Sequence, residues 1–358
     1  MTSLDLPELL RQEGLCHPVT LTLAVTGQCN LNCSHCWVGA GAPASLPHLP
    51  SPAALAIIHE FAALGGRSIR FTGGELLLHP QWLTLLTSAR QSRYDSISLQ
   101  SNGILFTEKS AIALRELDFS GISIQISLDG ATAASHDLVR GKGAFSKALR
   151  GISMLTNVGL GPRVTIFLTE MRHNLEEIPD LLELAEALGV AAVVTGALVR
   201  CGRASEQSRI SPPDPEQYLR LLDRLANDQP FRRRYEEMGT TAAVEWRMNP
   251  TARQECCTFM KNPYLSPDGV LYPCTLCHAK DFSVSEVFKN GLVAAFREAV
   301  PLWSSLMQIS RHRSKALPEC QNCPEQAACA GGCMGRAWGS HGNLLTADDR
   351  CEVRKAVG

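Results

Sequence analysis

Three cysteines lie close together in the stretch Gln28-Cys29-Asn30-Leu31-Asn32-Cys33-Ser34-His35-Cys36-Trp37, with three and then two residues between them. The stretch follows the alternating run Val19-Thr-Leu-Thr-Leu-Ala-Val25, which predicts a β-strand. Thiolates at this spacing can bind one iron–sulfur cluster from a single loop. Because a cubane [4Fe–4S] cluster has four irons, three thiolates leave one iron open to hold and reduce a small molecule.

The spacing of Cys29, Cys33 and Cys36 resembles the CxxxCxxC signature of the radical S-adenosylmethionine (SAM) enzymes. The resemblance implies that these thiolates hold a [4Fe–4S] cluster whose open iron chelates SAM. It also implies reductive cleavage of SAM to a 5′-deoxyadenosyl radical, which abstracts a hydrogen atom from a substrate. The alternatives for the triplet are a zinc knuckle or unrelated core cysteines, although zinc sites more often show two CxxC pairs.

Composition indicates a globular protein with metal-binding cysteines. The 358 residues suit one large domain and a small one, with 45% hydrophobic and 19% charged residues. The net charge of −1 gives no reason to expect nucleic acid or an anionic membrane as a partner. We expect a cytoplasmic location, because the N-terminus lacks the features of a signal peptide and no apolar run suits a membrane span. Fourteen cysteines in this setting favour metal binding over disulfides.

The first half of the chain alternates predicted strands and helices, which indicates an α/β fold with a parallel sheet. The resemblance implies a partial (β/α)6 radical SAM barrel, with its chemistry at the C-terminal ends of the strands. The predicted strands are 19–25, 68–72, 96–101, 121–128, 163–169 and 190–195, and the predicted helices are 51–64, 80–91, 107–117, 144–158 and 174–188.

The second motif is Gly73-Gly74-Glu75, which follows the second predicted strand. Glycines let the backbone approach a ligand closely, and a carboxylate accepts hydrogen bonds from an ammonium group. The motif resembles the GGE motif that contacts the amino group of SAM in this family. Without its context, Gly-Gly-Glu would be an ordinary turn.

Four more residues are candidate SAM contacts, and the resemblance assigns two of them to the SAM carboxylate: Ser127 and Arg140. An arginine suits a carboxylate because its planar guanidinium can donate two parallel hydrogen bonds. Asp129 follows the same strand end as Ser127, and Asn102 follows the third strand. The alternatives are polar strand ends, a solvated helix residue for Arg140 and a plain Asn-Gly turn for Asn102.

Four segments make up the predicted domain organisation: an N-terminal segment 1–18, the barrel 19–200, a helical connector 201–255 and a cysteine-rich domain 256–358. The basic stretch Arg200-Cys-Gly-Arg-Ala204 lies where the barrel meets the connector, which contains a predicted helix at 214–226. Its run Arg232-Arg-Arg234 is interpreted as a solvated helix face; the alternative is a contact for an acidic peptide or an electron-donor protein.

Nine cysteines fall in the last segment, and their spacing resembles that of the SPASM domain, which carries two auxiliary [4Fe–4S] clusters. The resemblance assigns one cluster to Cys320, Cys323, Cys329 and Cys351. It assigns the other to Cys274, Cys333 and one of Cys256 or Cys257. Asp268-Gly269 lies between two short apolar runs and predicts a hairpin turn before Cys274.

The fourth ligand of that other cluster stays open in the sequence. It is the second vicinal cysteine, Cys277, or no cysteine at all; we favour Cys277, because adjacent cysteines share one iron awkwardly. Cys16 and Cys201 are expected to be small buried residues. The alternative for the whole segment is a pair of zinc sites.

The resemblance implies a SPASM-type oxidoreductase that modifies a ribosomally made peptide or protein, by a thioether or C–C crosslink or by side-chain oxidation. Alternatives are a radical SAM dehydrogenase or epimerase acting on a sugar or cofactor precursor, and a non-catalytic zinc protein. Cofactors would be SAM and three [4Fe–4S] clusters. Sulfatase maturases carry an aspartate after the cysteine that matches Cys274, whereas this chain has Thr275, so the catalytic acid or base is unknown.

Two partners follow from the resemblance. A flavodoxin- or ferredoxin-type protein would donate electrons. About 18 residues before the first strand are too few for a leader-peptide domain, so a separate recognition protein is expected if the substrate has a leader.

Overall fold

The computed structural model describes residues 5–41, 46–206 and 209–358, so the first four residues of the predicted segment 1–18 lie outside the described part. The strands are β1 (Thr20–Ala24), β2 (Ser68–Thr72), β3 (Ser96–Ser101), β4 (Ile122–Ser127), β5 (Val164–Glu170), β6 (Ala192–Ala197), β7 (Gly239–Thr240), β8 (Tyr264–Leu265) and β9 (Leu271–Tyr272).

The helices alternate with these strands up to β6 and dominate the rest of the described chain. They are α1 (Leu6–Gln12), α2 (Ser51–Ala63), α3 (Trp82–Gln91), α4 (Glu108–Glu116), α5 (Ala133–Arg140), α6 (Ala144–Asn157), α7 (Ile178–Leu188), α8 (Pro215–Asn227), α9 (Gln229–Met238), α10 (Ala242–Met248), α11 (Val287–Asn290), α12 (Leu292–Ala316), α13 (Gln326–Cys329), α14 (Met334–His341) and α15 (Cys351–Val357). No helix among the described residues combines the length and apolar character needed to span a bilayer.

Two compact units divide the chain. The first unit contains residues 1–28, 43–98 and 251–351, and the second contains residues 29–42, 99–250 and 352–358. Strand β3 is divided between them, with residues 96–98 in the first unit and 99–101 in the second.

In the first unit the strand order is β9-β8-β1-β2. β1 runs parallel to both β2 and β8, whereas β8 and β9 form the antiparallel hairpin predicted around Asp268-Gly269. Gly269 has a φ of +84°, which a glycine adopts without strain. The β8–β9 hairpin of the cysteine-rich segment therefore extends the parallel sheet of this unit.

In the second unit the order is β4-β5-β6-β7, and each of these strands runs parallel to its neighbour. Alternate residues of β5, such as Ile166 and Leu168, are fully buried, which matches the two-residue period of a strand. At its end, Glu170 accepts hydrogen bonds from Thr195 on β6 and Tyr218 on α8. The predicted α/β fold with a parallel sheet is confirmed.

The helix α12, with 25 residues, is the main element that the sequence analysis did not predict. It contains Pro301, which usually interrupts a helix because it lacks an N–H group. The helix persists because one side is buried: Trp303 is completely buried and its indole Nε1 donates to Phe282 O at 2.9 Å. Burial of such a large apolar ring outweighs one lost backbone hydrogen bond.

Candidate functional site

The cysteine loop after β1 holds one buried and two half-buried thiols in the second unit. Cys33 is 8% exposed, whereas Cys29 and Cys36 are half-buried. The Cys29 N–H donates to Gly41 O at 2.8 Å, and the Cys36 N–H donates to Cys33 O at 3.3 Å. The loop therefore turns back on itself, so that three thiols project from a short piece of fixed backbone.

Two neighbouring segments of the second unit hold this loop. On one side the Ser34 N–H donates to Val139 O on α5 at 2.9 Å. On the other side Arg203 donates its backbone N–H to Cys36 O and its side-chain Nε to Cys33 O, both at 3.0 Å. The Arg203 bonds satisfy two loop carbonyls, and the bond to Val139 satisfies a loop N–H, all of which would otherwise need water.

The segment that carries Arg203 is itself fixed against the loop. An added Cβ on Gly202, whose φ is +55°, would lie 2.6 Å from Trp37 O. Ala204 is 2% exposed and belongs to a buried cluster with Val139 and Met171. No role for this basic stretch was predicted from the sequence; a glycine, an arginine and a small residue in succession are the only local indication of close packing.

Asp129 and Arg140, both predicted SAM contacts, form a buried ion pair in the second unit. Arg140 Nε lies 2.5 Å from Asp129 Oδ2, and the two side chains are 9% and 0% exposed. Asp129 Oδ2 also lies 3.2 Å from His35 Nε2, and its Oδ1 accepts from the Thr169 N–H at 2.8 Å. Both oxygens of Asp129 are thus occupied, while Arg140 Nη1 lies 4.0 Å from Cys33 Sγ. SAM contact by these residues stays a prediction.

Charge compensation fixes the ionisation of this network. Burial alone would raise the pKa of Asp129, but Arg140 and His35 hold it well below its ordinary value. Burial, followed by the charge of Arg140, lowers the pKa of His136 to about 4, so its neutral ring can accept from the Asp129 N–H at 3.0 Å. Burial raises the pKa of Cys33, and Arg140 opposes that change. Arg140 therefore favours the thiolate form that a cluster requires.

Asn102 and Ser127 complete the predicted contacts in the second unit. Asn102 Nδ2 donates to Asn30 Oδ1 at 2.8 Å and lies 3.9 Å from Cys29 Sγ, so it reaches the cysteine loop. Ser127 is half-buried at the end of β4, and its hydroxyl makes no hydrogen bond to a described residue. His35 was not predicted, although it lies between two of the motif's cysteines.

Gly73, Gly74 and Glu75 lie in the first unit, directly after β2. An added Cβ on Gly74 would lie 2.1 Å from Gln28 O, and one on Gly73 would lie 2.4 Å from Thr26 O. The glycines are thus required by the close backbone of residues 26–28, a reason that the sequence analysis did not consider. Glu75 is completely buried and accepts from the Leu77 N–H.

Four cysteines assigned to one auxiliary cluster come together in the first unit. Burial, followed by the neighbouring thiols of Cys329, Cys351 and Cys323, raises the pKa of Cys320. Arg313 on α12 is completely buried nearby and donates to the carbonyls of Gly332 and Thr346. This cation partly offsets the negative charge that four thiolates would place there.

The other auxiliary set also comes together in the first unit. The Cys257 thiol donates to Cys333, which lowers the pKa of Cys333. The hydrogen bond to Cys333 and burial raise the pKa of Cys257, and the charge of Cys256 raises it further. Burial, followed by Cys333, raises the pKa of Cys274 to about 12, and Cys256 contributes to that rise. The Cys277 N–H donates toward the Cys274 thiol, while Cys277 itself is 1% exposed. Ligation by Cys277 stays a prediction.

The donor chemistry of these sites fits iron–sulfur clusters. All fourteen cysteines are free thiols, and Cys16 and Cys201 are half-buried. Within residues 5–41, 46–206 and 209–358, no three His, Cys, Asp or Glu side chains form a group that could hold a single metal ion. Free thiols suit iron–sulfur clusters, in which each thiolate binds a different iron. The buried His35 Nδ1 also has no hydrogen-bond partner among the described residues, which suits a site completed by a cofactor.

Comparisons with known proteins agree with this chemistry. Residues 23–185 match the family model described as the radical SAM superfamily. An AdoMet-dependent heme synthase of Methanosarcina barkeri is 26% identical, with 94% of this chain and 97% of that protein covered. The mycofactocin maturase MftC of Mycobacterium tuberculosis is 28% identical, with 93% and 83% covered.

Two solved structures share the fold. The structure of anSMEcpe with bound AdoMet has a TM-score of 0.72 at 18% identity, covering 95% of this chain and 96% of that one. Streptococcus suis SuiB bound to precursor peptide SuiA has a TM-score of 0.75 at 15% identity, covering 97% and 79%.

The first prediction concerns Asp129→Asn. The substitution leaves Arg140 buried without its counter-charge, so we expect a loss of about 3–5 kcal/mol in the free energy of unfolding at pH 7. Because the folded-state pKa of Asp129 lies below its unfolded value, the stabilisation is present above about pH 4 and is lost in stronger acid. Urea unfolding of the metal-free chain at several pH values measures this.

A matched control is Asp95→Asn, which breaks the exposed pair with Arg67 and should cost at most about 1 kcal/mol. Equal losses for the two variants at pH 7 would contradict a buried, charged Asp129.

The second prediction concerns Arg203→Gln. Loss of a charged donor to the Cys33 carbonyl should loosen the loop, so iron release to a chelator should become about 10-fold faster for one cluster. The auxiliary clusters should release iron at the wild-type rate, as measured by absorbance decay and iron analysis. Arg209→Gln, at an exposed arginine, is the control. Wild-type kinetics in Arg203→Gln would show that the contact does not hold the loop.

Proposed function

This chain belongs to the radical SAM superfamily, and from that premise we propose that it is a SPASM-type enzyme that oxidatively modifies a peptide. The observation that carries the proposal is the cysteine loop, with Cys33 buried beside Arg140 and its carbonyls held by Arg203. The enzyme uses SAM and a [4Fe–4S] cluster. When bound, they supply a carbon radical that abstracts a hydrogen atom from the substrate.

The chain's own residues have positioning roles in this proposal. Cys29, Cys33 and Cys36 would hold the cluster, and Asp129 holds Arg140 toward Cys33. Ser127 and Asn102 would orient SAM from the strand ends, because Ser127 has a hydroxyl without a bond to described residues and Asn102 already reaches the loop. Glu75, which follows two glycines in the first unit, would accept hydrogen bonds from the amino group of SAM.

The auxiliary clusters would accept the electron left by a net oxidation. Cys320, Cys323, Cys329 and Cys351 would hold one cluster, since Cys320 lies among the other three thiols. Cys257, Cys274 and Cys333 would hold the other. We propose Cys277 as its fourth ligand, because adjacent cysteines share one iron awkwardly and the Cys277 N–H donates toward the Cys274 thiol.

A peptide substrate is supported by the relatives. SuiB is described with its precursor peptide, and MftC is described as a maturase. The heme synthase supports a small molecule, a cofactor precursor, as the second candidate substrate. We also propose a flavodoxin- or ferredoxin-type electron donor and a separate leader-recognition protein as partners. A cytoplasmic location is proposed because open clusters and free thiols need reducing surroundings.

The third prediction tests the cofactor assignment with Cys33→Ala. Anaerobically reconstituted wild-type protein should contain about 12 irons per chain and form 5′-deoxyadenosine with dithionite. Cys33→Ala should retain about 8 irons and form none, because the auxiliary cysteines are untouched. The control is Cys16→Ala, at a half-buried cysteine outside all three sets. SAM cleavage by Cys33→Ala would mean that another cluster activates SAM.

The fourth prediction concerns the substrate. Short peptides encoded beside the gene should stimulate 5′-deoxyadenosine formation and lose hydrogen atoms, detected by mass spectrometry. Deuterium from labelled peptide should appear in 5′-deoxyadenosine. Stimulation by a tetrapyrrole but by no encoded peptide would select the second candidate instead.

A further inference from the structure

Arg70 and Thr22 lie side by side on one face of the sheet in the first unit. They occupy opposite register positions on the parallel strands β2 and β1. Their neighbours Ile69 and Phe71, and Leu21 and Leu23, point to the other face and are at most 1% exposed. The apolar core therefore takes one face, and the face opposite it carries a guanidinium next to a hydroxyl.

Arg70 has no counter-charge among residues 5–41, 46–206 and 209–358. It is half-buried, and it makes no hydrogen bond or ion pair with any residue in the described part of the chain. Burial lowers the pKa of Arg70, and no neighbouring carboxylate opposes that change. Because partial burial removes water from a cation that has no partner in the described chain, this arginine favours an anion from outside the chain.

Thr22 gives an independent indication. The side chain is 2% exposed, and its Oγ1 has no hydrogen-bond partner among the described residues. Buried hydroxyls are bonded in most proteins, so an unbonded one beside an unpaired arginine points to a shared acceptor. On the other side of Thr22, Tyr264 occupies the paired position on β8. The His278 ring lies 4.2 Å from the Tyr264 ring and stacks 4.6 Å from Tyr272, which supplies an aromatic wall.

We propose that Arg70 and Thr22 bind a carboxylate of the substrate. The planar guanidinium can donate two parallel hydrogen bonds to a carboxylate, and the Thr22 hydroxyl can donate a third. Arg70 precedes Gly73 by three residues, about 10 Å along an extended strand. The remainder of a carboxylate-anchored substrate would therefore extend toward the turn that we assign to SAM. This inference rests on the proposed function for the statement that the substrate is a peptide.

The fifth prediction is tested with pairs of acids and amides on the full-length, reconstituted protein with SAM. The probes are N-acetyl tetrapeptides with and without Asp or Glu, each as C-terminal acid and C-terminal amide. Benzoic, 3-phenylpropionic and octanoic acids with their amides are included as acids that lack a peptide bond. Anaerobic retention on immobilised protein is quantified by mass spectrometry.

Wild-type protein should retain carboxylates about 10-fold more than the matching amides, because a charge-assisted bond has that strength. Arg70→Gln should remove this preference, Arg70→Lys should restore part of it and Thr22→Val should reduce it. Arg67→Gln, at the exposed arginine that pairs with Asp95, should keep it. Iron content and urea unfolding identify any variant that has failed to fold. If Arg70→Gln fails to fold, the carboxylate preference of Arg70→Lys is compared with that of the wild type instead.

Each pattern of retention decides a separate question. Preference for C-terminal acids or for Asp and Glu side chains identifies the source of the carboxylate. If peptide acids and amides are retained equally and Arg70→Gln does not change their retention, the inference is wrong, while the proposed peptide function still stands. Retention of only the non-peptide acids, through Arg70, would support the inference and count against a peptide substrate. Retention of no acid would overturn the inference.

Discussion

Buried charge is the constraint on which the cysteine loop depends. Thiolates are stable in a protein interior only when cations or donors offset their charge. Asp129 has no exposed surface, and it fixes Arg140 within 4.0 Å of the buried Cys33 thiol. Removing a charge from such a network leaves the others uncompensated, so the three residues His35, Asp129 and Arg140 act as one unit. Contact of Asp129 and Arg140 with SAM stays a prediction, and their ion pair explains how Arg140 is held near the Cys33 thiol.

The same requirement is met differently at the auxiliary cysteines of the first unit. Arg313 is fixed by backbone carbonyls beside the Cys320 set, and Arg336 is fixed by both oxygens of Asp349 near Cys333. Because Arg313 is held by neutral carbonyls, its charge is not compensated by them, whereas Asp349 offsets much of the charge of Arg336. A chain with a net charge of −1 thus places its cations where local negative charge would accumulate.

The sequence predicted those parts of the fold that depend on local pattern. Cysteine spacing indicated a resemblance to the radical SAM superfamily, whose family model matches residues 23–185. The two-residue and helical periods predicted six strands and the helices between them, which the structure confirms. Helix α12 was missed because Pro301 predicts a helix end, whereas burial of one side of α12 stabilises the helix across it. Arg203 was missed because its bond to the Cys33 carbonyl joins residues 170 positions apart, and no local pattern encodes such a contact. The ligand sets of the clusters stay predictions.

Two arginines of the first unit show how a structural cation differs from a binding one. Arg313 is more deeply buried than Arg70, yet its guanidinium donates to the carbonyls of Gly332 and Thr346. Arg70 is half-buried and bonds to nothing in the described chain, and the Thr22 hydroxyl beside it is equally unbonded. Folding alone gives no reason to keep two such groups together, because an apolar pair would cost less. The pairing is therefore better explained by an anion that arrives with the substrate.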